Sequence, residues 1–571
     1  MSLLKKKKKK KPFKPHSHAA GGGQISTERP VQEFKLAPCI HACPSGNDVR
    51  GWLTVVAQRD KLKISLEEAM DRAWQLYMET NPMPAIMGRV CPHPCEGSCN
   101  REHKDGSVAI NSVERSIGDW GIERGLEPTR LDVGGPFEEK IAVVGAGPSG
   151  LSCAYQLARR GYQVTVFESF PKPGGMLRYG IPEYRLPREI IDAEVARIEA
   201  LGVTFKYGVS VGKDITLEQL RSDYAAVFVG IGAHVGKKLG VPGEDGPGVY
   251  TGTDFLRRVN MGERPPIGAN VVIIGGGDTA IDASRVAKRL ISDSASVSRR
   301  MGAEVTILYR RTRAEMPAIE REIEEALEEG IKIEFLAAPA KIIRDENGNV
   351  SRMVIQRMEL GEPDSSGRRR PVPIEGALDE IDVETVITAV SQAPAGKALG
   401  LEGNWIDADD WGRTALEGIW SGGDNVNLGI ATTAIGQGRR AAESIHATLR
   451  GEDLPQPAEQ EVITHERILM DWYPPAKPAV RNIMGPEERL ANPLAEFDQG
   501  ITQKQMLEEV ARCFSCGSCF GCDNCWMYCT PSCFKKLTDV RPGYYYSVDL
   551  STCDGCKKCA EQCPCGFLVM R

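Results

Sequence analysis

Twelve of the eighteen cysteines fall within the last 59 residues, where spacing decides what thiols can do. Two runs, CFGCDNCWMYC and CDGCKKCAEQCP, lie 23 residues apart, and each spaces its cysteines C-x2-C-x2-C-x3-C. That rhythm wraps iron-sulfur cubanes: three close thiolates hold one cluster and the fourth crosses to the other. It assigns Cys519, Cys522, Cys525 and Cys563 to one 4Fe-4S cluster, and Cys553, Cys556, Cys559 and Cys529 to a second. Zinc sites also use CxxC pairs, but two complete runs, with Pro564 directly after Cys563, favour iron. Cys513 and Cys516 extend the rhythm upstream. The x3 step before Cys529 favours the later register, which leaves Cys513, Cys516, Cys533 and Cys565 to a further cluster or to inert thiols.

Two glycine-rich stretches carry a different chemistry. In IAVVGAGPSGLSCAYQLARRGYQVTVFE a strand runs into Gly145, Gly147 and Gly150, a helix follows, and a second strand ends in Glu168. Gly145 makes the tight turn, Gly147 lets backbone approach a pyrophosphate, and Gly150 lets helix pack on strand, while Glu168 accepts ribose hydroxyls. The second stretch, VVIIGGGDTAIDASRVAKRL, presents Gly275, Gly276, Gly277 and Asp278, and its partner strand ends in Tyr309, Arg310, Arg311, Thr312 and Arg313. Guanidinium groups at Arg310, Arg311 and Arg313 suit a 2′-phosphate, so NADP(H) is expected over NAD(H). Farther on, GIWSGGD ends in Asp424 and leads into a helix opened by threonines, Thr433 among them. An acid at a strand end beside a helix N-terminus suits the ribityl chain and pyrimidine end of a flavin.

The elements that must position these groups follow from texture. Short Val- and Ile-rich runs bounded by glycine, alternating with helical stretches, predict buried parallel strands from about residue 136 to 450. Ahead of them, Leu66, Met70 and Trp74, with Ala69, Ala73 and Tyr77 beside them, predict a helix over Ile64 to Tyr77 that brings Cys39 and Cys43 towards Cys91, Cys95 and Cys99. Cys153 stands alone as a core residue. The expected organisation is a basic tail (1–30), a helical domain bearing Cys39 to Cys99 (31–135), a first nucleotide fold whose strand texture resumes after the second (136–265 and 385–450), a second nucleotide fold (266–384), a proline-rich linker (451–510) and a bacterial-type ferredoxin domain (511–571). The 571 residues leave room for all of these.

Composition excludes other classes. No stretch of 18 apolar residues exists, and the N-terminus lacks the run of about 7 to 15 apolar residues of a signal peptide. No membrane insertion and a reducing, cytoplasmic setting are therefore expected, where clustered thiols mean metal rather than disulfides. The net charge of −6 includes eight lysines among the first fourteen residues, so the remainder is more acidic still. Such a body suits no nucleic acid, and the lysine run reads as a solvated tail.

PGGMLRYGIPEYRLP (Pro173 to Pro187), NPMPAIMGRVCPHPCEGSC (Asn81 to Cys99), GGGDTAID and LYRRTRAEMPA resemble the NADPH-dependent glutamate synthase small-subunit family, whose relatives include the N-terminal half of dihydropyrimidine dehydrogenase. The resemblance spans roughly Ala37 to Thr448. It implies an α/β fold with two Rossmann-like domains, the NAD(P)H domain inserted in the FAD domain, and it adds Gly175 and Arg178 to the flavin site. Carried over by position, it implies Cys43, Cys91, Cys95 and Glu114 as ligands of one N-terminal 4Fe-4S cluster, with Cys39 or Cys99 as possible replacements for Glu114. Relatives carry an extra CxxC before the position of Cys39 that this chain lacks. Three clusters are therefore expected, with a fourth left open.

NAD(P)H, FAD and cubanes in one chain imply an electron-transfer subunit working with a partner redox protein, as a homo- or hetero-oligomer. The partner classes that fit are a glutamate synthase large subunit, a 2-oxoacid:ferredoxin oxidoreductase, another low-potential reductase and dissimilatory sulfite reductase, whose associated iron-sulfur flavoproteins share this order of modules. A self-contained reductase of a small molecule is the alternative, although no separate catalytic domain is evident. A scaffold tethered through the lysine tail is the non-enzymatic reading.

Overall fold

A computed structural model describes residues 26–292, 303–456 and 460–571. The lysine run and most of the expected basic tail lie outside them. The N-terminal helices form where the pattern requires. Leu66–Met78 is capped by the Ser65 hydroxyl, which accepts from the Glu68 amide at 3.0 Å, and buries Ala69, Met70, Ala73, Trp74 and Tyr77 on one face. Ile110–Glu123 packs directly on Pro84–Val90. Gly88 and Gly118 allow that approach, since a Cβ on either would overlap the backbone of the facing helix.

Two five-stranded parallel sheets follow. The first runs Ile419–Ser421, Ala226–Val229, Lys140–Val144, Gln163–Glu168, Thr204–Tyr207 in spatial order. The second runs Lys332–Phe335, Glu304–Tyr309, Asn270–Ile274, Thr385–Thr388, Val249–Thr251. The inserted unit therefore takes in Val249–Thr251 and Thr385–Thr388, wider than the expected 266–384, because three-residue VYT is too short to show a period. A three-stranded antiparallel sheet, 337–382, is inserted between two strands of the second sheet, Lys332–Phe335 and Thr385–Thr388.

The chain ends meet. Pro30–Gln32 pairs antiparallel with Leu568–Met570, so the N-terminal strand completes the cysteine-rich C-terminal domain. The proline-rich stretch expected to be a linker is a docked strap. Val462 bridges to Leu36, and buried Asp498 accepts from Arg481 at 2.8 Å and faces Arg115 at 3.3 Å. Aperiodic sequence hides such docking, because the anchors are isolated charges. Asp498→Ala would leave buried Arg481 without its carboxylate partner, while Arg115 keeps Glu496 at 3.0 Å, and is expected to cost about 3 kcal/mol, read as a lower urea midpoint with the slope unchanged.

Candidate functional site

A cavity of about 510 Å³ lies at the glycine turns. Gly145, Gly147, Glu168, Gly175 and Asp424 line it from the first nucleotide fold, and Asp278 lines it from the second. The turn needs its glycines. Gly145 has φ +99°, and a Cβ on Gly150 would overlap the Gly145 carbonyl oxygen. Helix Pro148–Arg159 then starts at the cavity with Gly147 as its N-cap, an arrangement suited to a pyrophosphate.

Glu168 is held rigidly. Its carboxylate accepts from the amides of Ala146 at 2.7 Å and Phe170 at 2.8 Å, and burial, only partly offset by those bonds, raises its pKa. Asp424 accepts from the Gly429 amide at 3.1 Å and is likewise raised by burial. These donors and acceptors, the close backbone approach at Gly147 and the cavity volume fit an adenine dinucleotide with a flavin.

Two expected flavin residues sit elsewhere. Arg178 is buried, with Nε donating to the Pro173 carbonyl at 2.6 Å and Nη2 paired with Asp192, so it shapes the PGG loop instead of lining the cavity. Thr433 lies on the helix Ala431–Arg450 without reaching the lining, whereas Ile430 and Ala431 do reach it. Sequence reasoning missed Gly230, Ile231, Gly232 and His234, which line the cavity after the strand Ala226–Val229. The glycine pair in GIGAH was the available signal. Desolvation, with Arg257 nearby, lowers the pKa of His234.

In the second fold, Gly275 has φ +145° and Gly276 lies against the Tyr309 ring. Asp278 accepts from the Ile319 amide at 3.0 Å. The three arginines separate. Arg311 is buried and committed to Asp364 at 2.8 Å and the Arg369 carbonyl at 2.7 Å. Arg313 pairs with Glu320, its Nε donating at 2.9 Å. Arg310 is exposed and, among the described residues, has no ion pair or side-chain hydrogen bond. Of the three, Arg310 is therefore the one available to a 2′-phosphate.

The thiols sort into groups. Cys519, Cys522, Cys525 and Cys563 line one cavity and Cys529, Cys553, Cys556 and Cys559 another, the crossed pattern expected from spacing. Cys565 lies in the first, its sulfur 3.9 Å from that of Cys563, and Cys533 lies in the second. Cys91 lies within electrostatic reach of Glu114 and Cys43, and Cys95 within reach of Glu114 and Cys91; burial and the Glu114 carboxylate push both thiols up. Glu114 accepts from the Tyr77 hydroxyl at 2.5 Å and Asn111 Nδ2 at 2.7 Å. Burial outweighs these bonds and raises it to about 7. Half-buried Cys43 and Cys91, buried Cys95 and a buried acid suit the fourth-ligand role implied for Glu114. Cys39 and Cys99, the alternatives to Glu114, line a separate cavity with Cys513 and Cys516.

The first of these N-terminal groups adjoins the flavin-sized cavity. Val90 and Pro92, flanking Cys91, line that cavity, and the Cys91 sulfur lies 3.9 Å from Thr432 Oγ1 on the helix whose first turn borders it.

The sequence matches two family models: pyridine nucleotide-disulphide oxidoreductase over residues 139–438, and dihydropyrimidine dehydrogenase domain II, 4Fe-4S cluster, over residues 25–126. It is 39% identical to the NADP(+)-dependent formate dehydrogenase subunit beta of Moorella thermoacetica, over 73% of this chain and 60% of that subunit. It is 34% identical to the NADPH-Fe(3+) oxidoreductase subunit beta of Geobacter sulfurreducens, over 84% and 75%. It is 36% identical to the glutamate synthase [NADPH] small chain of Escherichia coli, over 71% and 87%.

Proposed function

Since the chain belongs to the pyridine nucleotide-disulphide oxidoreductase family and carries a 4Fe-4S module ahead of that domain, we propose that it is an NADPH-dependent electron-transfer subunit serving a partner redox enzyme. The observation that carries this reading is the single cavity lined by both nucleotide folds and by the residues flanking Cys91. FAD bound there would accept hydride from NADPH and pass electrons singly to iron-sulfur sites. The chain's own part is positional. Gly145 and Gly147 open the turn for the pyrophosphate, Glu168 holds the ribose, and Asp424 meets the flavin chain beside the helix N-terminus. We infer that electrons would leave through the thiol groups between Cys91 and the C-terminal domain, so the partner would dock at the ferredoxin end. The relatives, two of them beta subunits and one a small chain, support a partner subunit over a self-contained reductase.

Anaerobic titration tests the reading: NADPH should bleach the flavin absorbance in the isolated chain, and a flavin that stays oxidised would end it. Nucleotide choice has its own test. Charge-assisted bonds to a phosphate contribute about 1.5 to 3 kcal/mol, so Arg310→Ser should raise KM for NADPH by about 10- to 100-fold and leave KM for NADH unchanged. Equal shifts for both nucleotides would remove the 2′-phosphate assignment. Arg311→Ser should instead loosen the contact with Asp364 and affect both nucleotides alike.

A further inference from the structure

Cys39, Cys99, Cys513 and Cys516 come from opposite ends of the chain and line one cavity of about 20 Å³, together with Arg50 and Asn100. The cavity lined by Cys519, Cys522, Cys525 and Cys563 has the same volume, about 20 Å³. All of these cysteines are free thiols. We propose that Cys39, Cys99, Cys513 and Cys516 ligate a fourth 4Fe-4S cluster that joins the N-terminal helical domain to the C-terminal ferredoxin domain.

Backbone conformation supports the assignment independently of the cavity. In the ferredoxin loop Cys519-Phe520-Gly521-Cys522-Asp523, the residues before and after the second cysteine are left-handed, at φ 68° and 68°. In Cys553-Asp554-Gly555-Cys556-Lys557 the same positions have φ 74° and 64°. Cys513-Phe514-Ser515-Cys516-Gly517 repeats the pattern at 51° and 67°. Ser515 adopts it without being glycine, at a strain of about 1 to 2 kcal/mol. The loop turns amide donors inward: the Ser515 amide donates to Cys513 Sγ at 3.4 Å, and Asn100 Nδ2 donates to Cys516 Sγ at 3.5 Å.

Charge points the same way. Arg50 donates to the carbonyls of Lys35 and Cys516, both at 2.7 Å, and has no carboxylate partner among the described residues. A cubane held by four thiolates carries net negative charge, which this guanidinium would offset. Four neutral thiols would give it nothing to balance. The site also fills a gap in the order of the groups. Cys39 and Cys99 lie four residues from Cys43 and Cys95, and Cys516 lies three before Cys519. Its role as a relay rests on the electron-transfer reading above; its ligand set does not.

The test is iron and acid-labile sulfide in the full chain, purified anaerobically. Four cubanes require about 16 iron atoms per chain. The double variants C39S/C99S and C513S/C516S should each hold about 12, and the quadruple variant should also hold about 12, because both pairs would serve one cluster. FAD bound per chain serves as the folding control. Wild-type protein with about 12 irons, or one zinc in place of the missing four, would overturn the proposal whether or not the variants fold. So would pairs whose losses add. If iron follows the prediction while NADPH fails to bleach the flavin, the functional reading falls and the cluster assignment stands.

Discussion

Gly150→Ala is expected to produce a chain that purifies without flavin and oxidises NADPH more than about 100-fold more slowly, a loss of at least about 2.7 kcal/mol of transition-state stabilisation. The cause is a single methyl group. A Cβ at this position would overlap the Gly145 carbonyl oxygen, and that oxygen cannot retreat freely, because Gly145 already holds φ +99° with the Gly230 backbone behind it. Relief would have to come from moving the helix Pro148–Arg159 off the sheet, which carries its N-terminus away from the pyrophosphate position. Visible absorbance after gel filtration and the steady-state rate check the outcome. Full flavin content with a normal rate would mean that the first turn does not cradle the dinucleotide. Cys153 serves as a comparison on the same helix. It is fully buried in the main hydrophobic core and away from the cavity, so Cys153→Ala should keep its flavin and cost only about 1 kcal/mol in stability.

How much of this was legible in sequence depends on how local each signal is. The glycine turns, the place of Glu168 and the crossed grouping of the C-terminal thiols were readable because strand, turn, helix and thiol spacing lie within a few dozen residues. The grouping of Cys39 and Cys99 with Cys513 and Cys516 was not, since no periodicity relates the two ends of a chain. The antiparallel pairing of Pro30–Gln32 with Leu568–Met570 closes those ends together, and three-residue strands leave almost no pattern. Arg311 and Arg313 misled for a related reason. A guanidinium beside a strand end looks available until the competing carboxylates of Asp364 and Glu320 are placed. The strap was unreadable because its contacts, such as Asp498 with Arg115 and Arg481, are isolated charges on irregular chain.

The double variant C43S/C91S should separate the two halves of the activity. Cys43, Cys91, Cys95 and Glu114 form the thiol group beside the flavin-sized cavity, with Val90 and Pro92 in its wall. Serine is a poor ligand for iron, so the variant should lose about four irons per chain and the connection from cavity to ferredoxin domain with them. NADPH should still bleach the flavin, because Glu168, Gly145 and Asp424 are untouched. Reduction of a one-electron acceptor at the C-terminal domain should fall by more than about 100-fold, beyond the loss that outer-shell substitutions at metal sites cause. Glu114 refines the point. Its carboxylate is fixed by Tyr77 and Asn111, so Glu114→Gln, which keeps an oxygen in place, should retain the iron, whereas Glu114→Ala should lose it. Stopped-flow traces at flavin and cluster wavelengths, with iron counted on the same samples, distinguish the outcomes. An acceptor rate unchanged in C43S/C91S would mean that electrons leave the flavin by a path that avoids this group, and the order of sites from Cys91 to the C-terminal domain would no longer describe the route.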